Sequence, residues 1–583
     1  MKKMKYILMK PDYQKVLETV YDVNYYCEWT HVDELENVRA IRHDNNWVSE
    51  IVEQREVQRM TGETPLFIVS QTGTGKTTFI FDNCLPVAEK EKKKILYLCN
   101  RAALKNQIKK EAIKHPANKT QYVDGKKVEE YNDYLTSKGI AKEHRFGYID
   151  VYAYQEMITF PEDKVEEYAV VVMDEAHFFI SDAKFNPYTQ EILEKIARIF
   201  KDTRRIYLTA TPRESFGVIC EVERSFHKQR MDMWSAMYNP YYNPEAAQVE
   251  MSVVVVDEDY TYLQPRFFEN IHELQKMILR NSSGKWLIFV RVKETAAELM
   301  KELKLPEEDV AYYDADTDKE LEQYKTLIEH EELTHRITIS TKVLDVGVNI
   351  KTENVNVVVF EDDPLEIKQM VGRKRRKEKE NVTVYFYVPT MEELNQRLGR
   401  VRCEISEFKK LQASYKRGNY DSISAPLYIS NGEIHINDYY GLKSEKDEWR
   451  YEVLIDKMSK VEPGQEKYVY AYYILHQFQL NLPGIQRYFY NYESEDVMGV
   501  KLRECLLPYL DQEIMKDALK DVAENIFNIL PDPRKDKRSD RNIGVRSINK
   551  AISPYGYCVE SMNSIPVSYR IKLTDIDGGE DNV

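Results

Sequence analysis

Leu66-Phe67-Ile68-Val69-Ser70-Gln71-Thr72-Gly73-Thr74-Gly75-Lys76-Thr77-Thr78 decides the fold of this chain. Four consecutive apolar residues bounded by polar ones predict a short strand buried on both faces. A glycine-rich turn and a stretch of helical character follow. A turn of this kind between strand and helix cradles phosphate, because its backbone N–H groups point at the ligand and the helix dipole favours negative charge. In the pattern G-x-x-x-x-G-K-[ST], Ser70, Thr72, Gly73, Thr74, Gly75 and Thr78 form the loop. Lys76 places a point charge on the outer phosphates, and Thr77 offers its hydroxyl to Mg²⁺. Ser70 stands where the pattern has its first glycine. Taken alone, the loop therefore also reads as an ordinary Gly-rich turn.

With 583 residues the chain exceeds what one core supports, and three or four domains are expected. Its 43% apolar and 31% charged residues are those of a folded soluble protein. No run approaches the ~20 apolar residues of a membrane span. The basic start, Met1-Lys2-Lys3-Met4-Lys5, lacks the apolar core of a secretion signal, since Lys10, Asp12 and Lys15 follow. A cytoplasmic protein without a membrane partner is expected. None of the seven cysteines forms a C-x-x-C pair, so neither a zinc site nor a disulfide framework is indicated. The net charge of −14 excludes a bulk polyanion binder but leaves room for a local basic groove.

Short apolar runs recur downstream. Ile95–Cys99, Ile149–Tyr152, Ala169–Met173 and Ile206–Leu208 predict further strands of one parallel sheet. Trp286–Val290, Val310–Tyr313, Ile337–Ile339, Val355–Phe360 and Val382–Val388 predict a second, with helices at Thr295–Leu303 and Leu321–Glu332. Two Asn-Pro pairs in Asn239–Pro244 mark a connector. The expected organisation is an N-terminal extension (1–45), a first α/β domain (46–245), a second (246–400), and a mainly helical accessory region (401–573). A disordered acidic tail (574–583) completes it. Within the accessory region, Ile514–Leu530 is amphipathic, Asp532–Arg546 is a basic linker, and Ile548–Ile552 reads as a short helix. Val567–Leu573 alternates like a strand and pairs with Tyr557–Glu560, a loosely winged-helix-like ending.

Asp174-Glu175-Ala176-His177 closes the apolar run Val170–Met173. A carboxylate pair at a buried strand end suits one group to hold Mg²⁺ and the other to polarise an attacking water. These four residues spell a DEAH box, and the region from about Leu66 to Arg376 resembles the two RecA-like, P-loop NTPase domains of superfamily 2 helicases of the DEAD/DEAH-box kind, with a partial likeness to those of phages and mobile elements. The other motifs follow in order. Arg101, Gln155 and Thr341 fall in segments that touch nucleic acid in that family. Thr209-Ala210-Thr211 and His177 match the coupling elements. Gly347 falls in the nucleotide-binding fifth motif, and Gln369-Met370-Val371-Gly372-Arg373-Lys374-Arg375-Arg376 matches Q-x-x-G-R-x-x-R.

The resemblance implies ATP and Mg²⁺ as cofactors and nucleic acid, DNA favoured over RNA, as partner. It implies Mg²⁺ on Thr77 and Asp174, Glu175 activating water, and Gln369, Arg373 and Arg376 completing the site from the second domain. No convincing upstream adenine-reading glutamine motif is present, although Gln54 and Gln58 sit near the required distance. The residues leave two readings open: a helicase or translocase, and an ATP-switched nucleic-acid-binding subunit of a larger defence or replication complex.

Overall fold

The computed structural model describes residues 38–43, 47–100, 102–114, 122–123, 126–127, 144–212, 215–226, 251–256, 258–281, 284–303, 309–314, 316–317, 321–341, 349–377, 380–418, 426–480, 482, 485–489, 502–503, 505–510, 512–530, 544–553, 557–562 and 567–573. The chain divides into two compact units, 1–265 with 269–480, and 266–268 with 481–583.

The larger unit is built on two predominantly parallel sheets, each of the RecA-like kind. In the first, the strands run in the order Val38–His43, Met251–Val256, Leu66–Val69, Arg204–Thr209, Tyr168–Asp174, Lys94–Cys99, Ile149–Ala153, Arg145–Phe146. All neighbours are parallel except the last pair. Side chains alternate along a strand, yet both faces are apolar here. Phe67, Val69, Val171, Met173 and Tyr207 join one core, and Leu66, Ile68, Val170, Val172 and Leu208 the other. Helices therefore cover the sheet on both sides, as expected of continuous apolar strands.

This order sets the site. Leu66–Val69, Arg204–Thr209 and Tyr168–Asp174 are adjacent and parallel, with Val69 opposite Thr209 and Asp174 opposite Leu208. The glycine loop, the acidic pair and Thr209–Thr211 leave the sheet at one edge, beyond the carboxyl ends of three neighbouring strands.

The second sheet runs Val382–Tyr387, Val355–Phe360, Lys285–Val290, Ile337–Ser340, Val310–Tyr313, all parallel. A sixth strand, Leu263–Phe268, whose first three residues belong to the larger unit, flanks Val382–Tyr387. The strand positions expected from sequence agree closely. The boundaries differ. Val38–His43 and Met251–Val256, assigned to the extension and to the second domain, both belong to the first sheet. The reason is pairing: Met251–Val256 fills the ladder beside Leu66–Val69. Likewise the border at residue 400 cuts a continuous helix, Met391–Lys416.

That helix packs on a second, Asp438–Met458, close enough that a Cβ on Gly441 would lie 2.2 Å from the Phe408 ring. The pair straps the two α/β domains together. Tyr439 and Leu442 enter the first domain's core, Asn437 Nδ2 donates to Thr189 Oγ1 (3.0 Å), and Lys184 pairs with Glu404 (2.8 Å) and Asp447 (3.0 Å). On the other side, Arg397 and Arg450 meet Asp362, Tyr451 donates to it (3.0 Å), and Lys443 pairs with Asp363 (3.0 Å). Arg291 of the second domain adds a third guanidinium, 3.3 Å from Asp362. Burial pushes the Asp362 carboxyl up, but Arg397, Arg450 and Arg291 more than offset it and hold it at about 2.

The smaller unit contains a three-stranded antiparallel sheet in the order Glu513–Met515, Ser568–Leu573, Tyr557–Met562, with helices Lys516–Ile529 and Val545–Ile552. The expected hairpin is present. The amphipathic helix starts later than expected, because Glu513–Met515 pairs as a strand and leaves Met515 half exposed. Residues 531–543 of the basic linker, the connector 239–244 and the tail 574–583 lie outside the described residues. Among the described residues no helix is long and apolar enough to cross a membrane.

Asp362→Asn strands three guanidiniums without their shared counter-charge. We expect a loss of about 3–5 kcal/mol, read from the denaturation midpoint of the full chain. Lys460→Ala, which removes an exposed i,i+4 pair with Asp456, is the control and should shift it by about 0.5 kcal/mol or less.

Candidate active site

Val69 ends the strand and the chain turns sharply. Gly73 and Gly75 take positive φ, +93° and +79°, which a side chain would resist. A Cβ on Gly75 would lie 2.6 Å from the Trp47 ring, and one on Gly73 would lie 3.0 Å from the Arg375 guanidinium. The loop is thus a cradle walled by an aromatic ring and a cation. The helix after it begins at Lys76 and passes through a π-helical turn, Ile80–Cys84. There the buried Asn83 donates to the carbonyls of Ser49 (2.7 Å) and Val52 (2.6 Å). Val48 N donates to Thr74 O (3.0 Å). Segment 47–52 is therefore fastened to the loop at one end and to the helix that follows it at the other.

Ser70 does not join the cradle. It is fully buried beneath it, its N–H on Thr209 O (3.0 Å) and its carbonyl accepting from Lys76 Nζ (3.1 Å). The residue expected as a flawed first glycine serves the loop through its backbone. Thr72, Gly73 and Thr74 line the cavity, Thr77 is half-buried and Thr78 exposed.

The acidic pair is asymmetric. Asp174 is buried, accepts a hydrogen bond from Tyr97 Oη, and is pushed up to about 6 by burial and by Glu175. Burial also pushes Glu175 up, but Lys76, His177, Arg373 and Arg375 outweigh it and hold the carboxyl below its usual range. Glu175 sits at φ +53°, a left-handed conformation costing about 1–3 kcal/mol for a non-glycine residue. Such strain persists where surrounding contacts over-determine it, and here Ala176 N donates to Leu208 O of the adjacent strand (2.9 Å).

From the acidic pair a polar chain crosses to the second domain. Thr211 N donates to Thr209 Oγ1 (3.0 Å), which lies 3.2 Å from His177 Nδ1. Gln369 Nε2 lies 2.7 Å from His177 Nε2. Gln369 stands on the helix Pro364–Gly372, whose end meets the cradle: a Cβ on Gly372 would lie 3.4 Å from Thr72 Oγ1.

Of the two expected arginines, Arg373 is buried and acts on Glu175, whereas Arg376 stands on the wall of the cavity between the glycine loop and the second domain. It stacks over the Tyr262 ring (4.5 Å) and pairs with Asp259 (3.4 Å). Arg375, which the motif leaves unspecified, is the guanidinium over Gly73. It is held by Asn349 Oδ1 (2.8 Å), and burial and Arg373 push it down to about 10, still charged at neutral pH. Between cradle and second domain lies a cavity of about 470 Å³, its far wall Tyr260 and Tyr262. The segment bearing these tyrosines is tied to the loop, because Gln71 and the Asp259 backbone exchange two hydrogen bonds (3.1 and 3.0 Å). Trp47, Gln71, Asp259, Tyr262 and Arg375 went unread in sequence. Only Trp47 carried a signal there, an aromatic residue upstream of the loop.

Gln54 and Gln58 do not line this cavity. Gln155 is exposed and Thr341 half-buried, and neither lines the cavity. Arg101 and Gly347 lie outside the described residues. Among the described residues, no cluster of three or more His, Cys, Asp or Glu side chains could hold a metal. A threonine hydroxyl and one carboxylate, supplemented by phosphate oxygens and water, are the donors Mg²⁺ takes, so Thr77 and Asp174 fit that ion better than zinc.

Two family models match the chain. Residues 37–214 match the Type III restriction enzyme, res subunit, and residues 269–403 match the helicase conserved C-terminal domain. The first match begins at the edge strand Val38–His43. No curated protein matches the chain in sequence. Similar solved structures include S. cerevisiae Dbp5 bound to RNA and ADP BeF3, 16% identical over 55% of this chain and 79% of that one, with TM-score 0.35. The DEAD-box helicase Mss116 bound to ssRNA and UDP-BeF is 12% identical over 78% and 99%, with TM-score 0.40. Mycobacterium smegmatis helicase Lhr bound to ssDNA and AMP-PNP is 14% identical over 59% and 45%, with TM-score 0.37. The two family models together span just over half of the residues and meet the two parallel sheets in order: the chain belongs to the superfamily 2 helicases.

Proposed function

We propose that the chain is a nucleic-acid-dependent ATPase of the DEAH type that moves along, or unwinds, DNA. One observation carries the reading: Glu175 lies in the field of Lys76 from its own domain and of Arg373 and Arg375 from the other. Phosphoryl transfer is mostly positioning and charge stabilisation, and a site split this way works only when the cleft is closed. DNA is favoured because the first domain matches a restriction-enzyme subunit, and restriction operates on DNA.

The residues divide the work. The loop N–H groups, Lys76 and Arg375 bind and orient the phosphates of ATP, while Trp47 and Tyr262 offer flat faces to its base. Thr77 and Asp174 would hold Mg²⁺, which supplies charge neutralisation between the outer phosphates. Glu175, kept ionised, orients the attacking water and accepts its proton. Arg373 stabilises charge developing on the transferred group. The Thr211–Thr209–His177–Gln369 chain reports the state of the acidic pair to the second domain. A second reading, an ATP-switched binding subunit without unwinding, is favoured by the strap of helices ion-paired to both domains, which limits their separation. Strand-displacement and triplex-displacement assays run side by side separate unwinding, translocation and switching.

The deciding experiment compares ATP hydrolysis with single-stranded, duplex and forked DNA and with RNA. Stimulation by DNA is expected, and a rate indifferent to every polymer overturns the proposal. Glu175→Gln should retain ATP binding and lose about 10²–10⁴ in turnover, measured by single-turnover hydrolysis. Lys76→Ala should weaken nucleotide binding itself, measured by fluorescent-nucleotide titration. Gln369→Ala removes the bridge to His177. We expect polymer stimulation to fall about tenfold while nucleotide affinity stays within about threefold, read from the ratio of stimulated to basal rates.

A further inference from the structure

We propose that the unit formed by residues 481–583 is a duplex-DNA-binding module that lays the helix Val545–Ile552 against the double helix. The inference goes beyond the cleft and stands without it.

The topology is the first ground. In chain order the unit runs strand Glu513–Met515, helix Lys516–Ile529, helix Val545–Ile552, strand Tyr557–Met562, strand Ser568–Leu573, and the last strand lies in the middle of the sheet. Leu502 and Leu506, just upstream, complete the core. This is the winged-helix arrangement: two helices packed across a small antiparallel sheet.

The second ground is how that helix is held. Ile548 and Ile552, one turn apart, are fully buried in the core. At 100° per residue, Arg546 and Lys550 fall on the opposite face, and both are exposed. Neither forms an ion pair among the described residues, and the helix carries no acidic residue. Asn549 fixes its orientation: Nδ2 donates to Val559 O (2.9 Å), and Val559 N donates to Oδ1 (2.6 Å). A side-chain amide thus extends the pairing of the hairpin and stops the helix from rolling. An α-helix with its side chains is about 10–12 Å across, which the major groove, about 12 Å wide, admits. Arg546 and Lys550 stand about 6 Å apart along the helix axis, on the side a phosphate backbone would meet.

Charge is the third ground. In sequence, residues 534–550 hold seven Lys and Arg against two Asp, whereas the rest of 481–583 holds seven against fifteen acidic residues. An acidic unit that leaves Arg546 and Lys550 exposed on one face of a helix suits a polyanion there.

The test uses the full chain without nucleotide. Anisotropy of a labelled 20-base-pair duplex is titrated across a series of KCl concentrations, for the parent, Arg546→Gln/Lys550→Gln, and Lys76→Ala. The double variant should bind about tenfold or more weaker near 0.1 M salt. Its plot of log affinity against log salt should be flatter by about 1.8, two phosphate contacts at ~0.9 each. Its melting temperature should match the parent, and Lys76→Ala should bind duplex as the parent does. Unchanged affinity and slope in the double variant overturn the proposal, as does a parent chain that binds no duplex at low salt, which would leave this face to a protein partner. Since no arm uses nucleotide, failure of the ATPase reading would leave this result interpretable.

Discussion

The buried Asp362 and the half-buried Asp363 hold the larger unit together. They stand where the strand Val355–Phe360 gives way to the helix Pro364–Gly372, and Asp363 also caps that helix by accepting from Leu365 N (3.0 Å). Three guanidiniums, an ammonium and a tyrosine hydroxyl converge on them from the second domain and the strap. Taking so many charges out of water is costly, and the cluster adds stability only if every member stays paired. Its worth lies in position. The helix that it anchors delivers Gln369, Gly372, Arg373 and Arg375 to the glycine loop, and the strap that it grips reaches Lys184 of the first domain. One ion network therefore sets both the pitch of the arginine-bearing helix and the distance of that helix from the nucleotide cradle.

Within the cleft the electrostatics sort two adjacent carboxylates into different roles. Asp174 faces Tyr97 and the sheet interior, and its charge is disfavoured until a cation compensates it. Glu175, turned out by its left-handed backbone, looks across to cations from both domains and keeps its charge. Opening the cleft would withdraw Arg373 and Arg375 and raise Glu175. The proton affinity of Glu175 is thus tied to the cations that the second domain brings to it.

The parallel strands were legible because each is a short apolar run buried on both faces, a pattern local enough to read residue by residue. The motif residues were legible because phosphate chemistry demands fixed types at fixed spacings. What escaped depends on long-range pairing. Met251–Val256 reads as any strand would, and only the empty ladder position beside Leu66–Val69 assigns it to the first sheet. Arg375 and Arg376 are alike in sequence, and the Asn349 and Tyr262 side chains decide which one faces the loop. Ser70 misled because the pattern is written in side chains, whereas its contribution is a carbonyl to Lys76. The helix Asp438–Met458 went unread in sequence, and it buries charged residues, Lys443, Asp447 and Arg450 among them.

The passage between the two sheets is itself part of the site. Glu258 pairs with Lys368 on the arginine-bearing helix (2.5 Å), Asp259 clasps Gln71 in the loop and receives Arg376, and Tyr260 packs beneath Lys368. A connector that merely joined two domains would be solvated and free of such obligations. This one reads the glycine loop through the Gln71 amide and the segment Lys368–Arg376 through its two end cations, so neither can shift without moving the other. The strap fixes how far apart the domains stand, and the connector fixes their register at the cradle. Two constraints at opposite ends of one cleft leave it a hinge motion rather than free separation, which is the freedom that a site completed by arginines from the far domain requires.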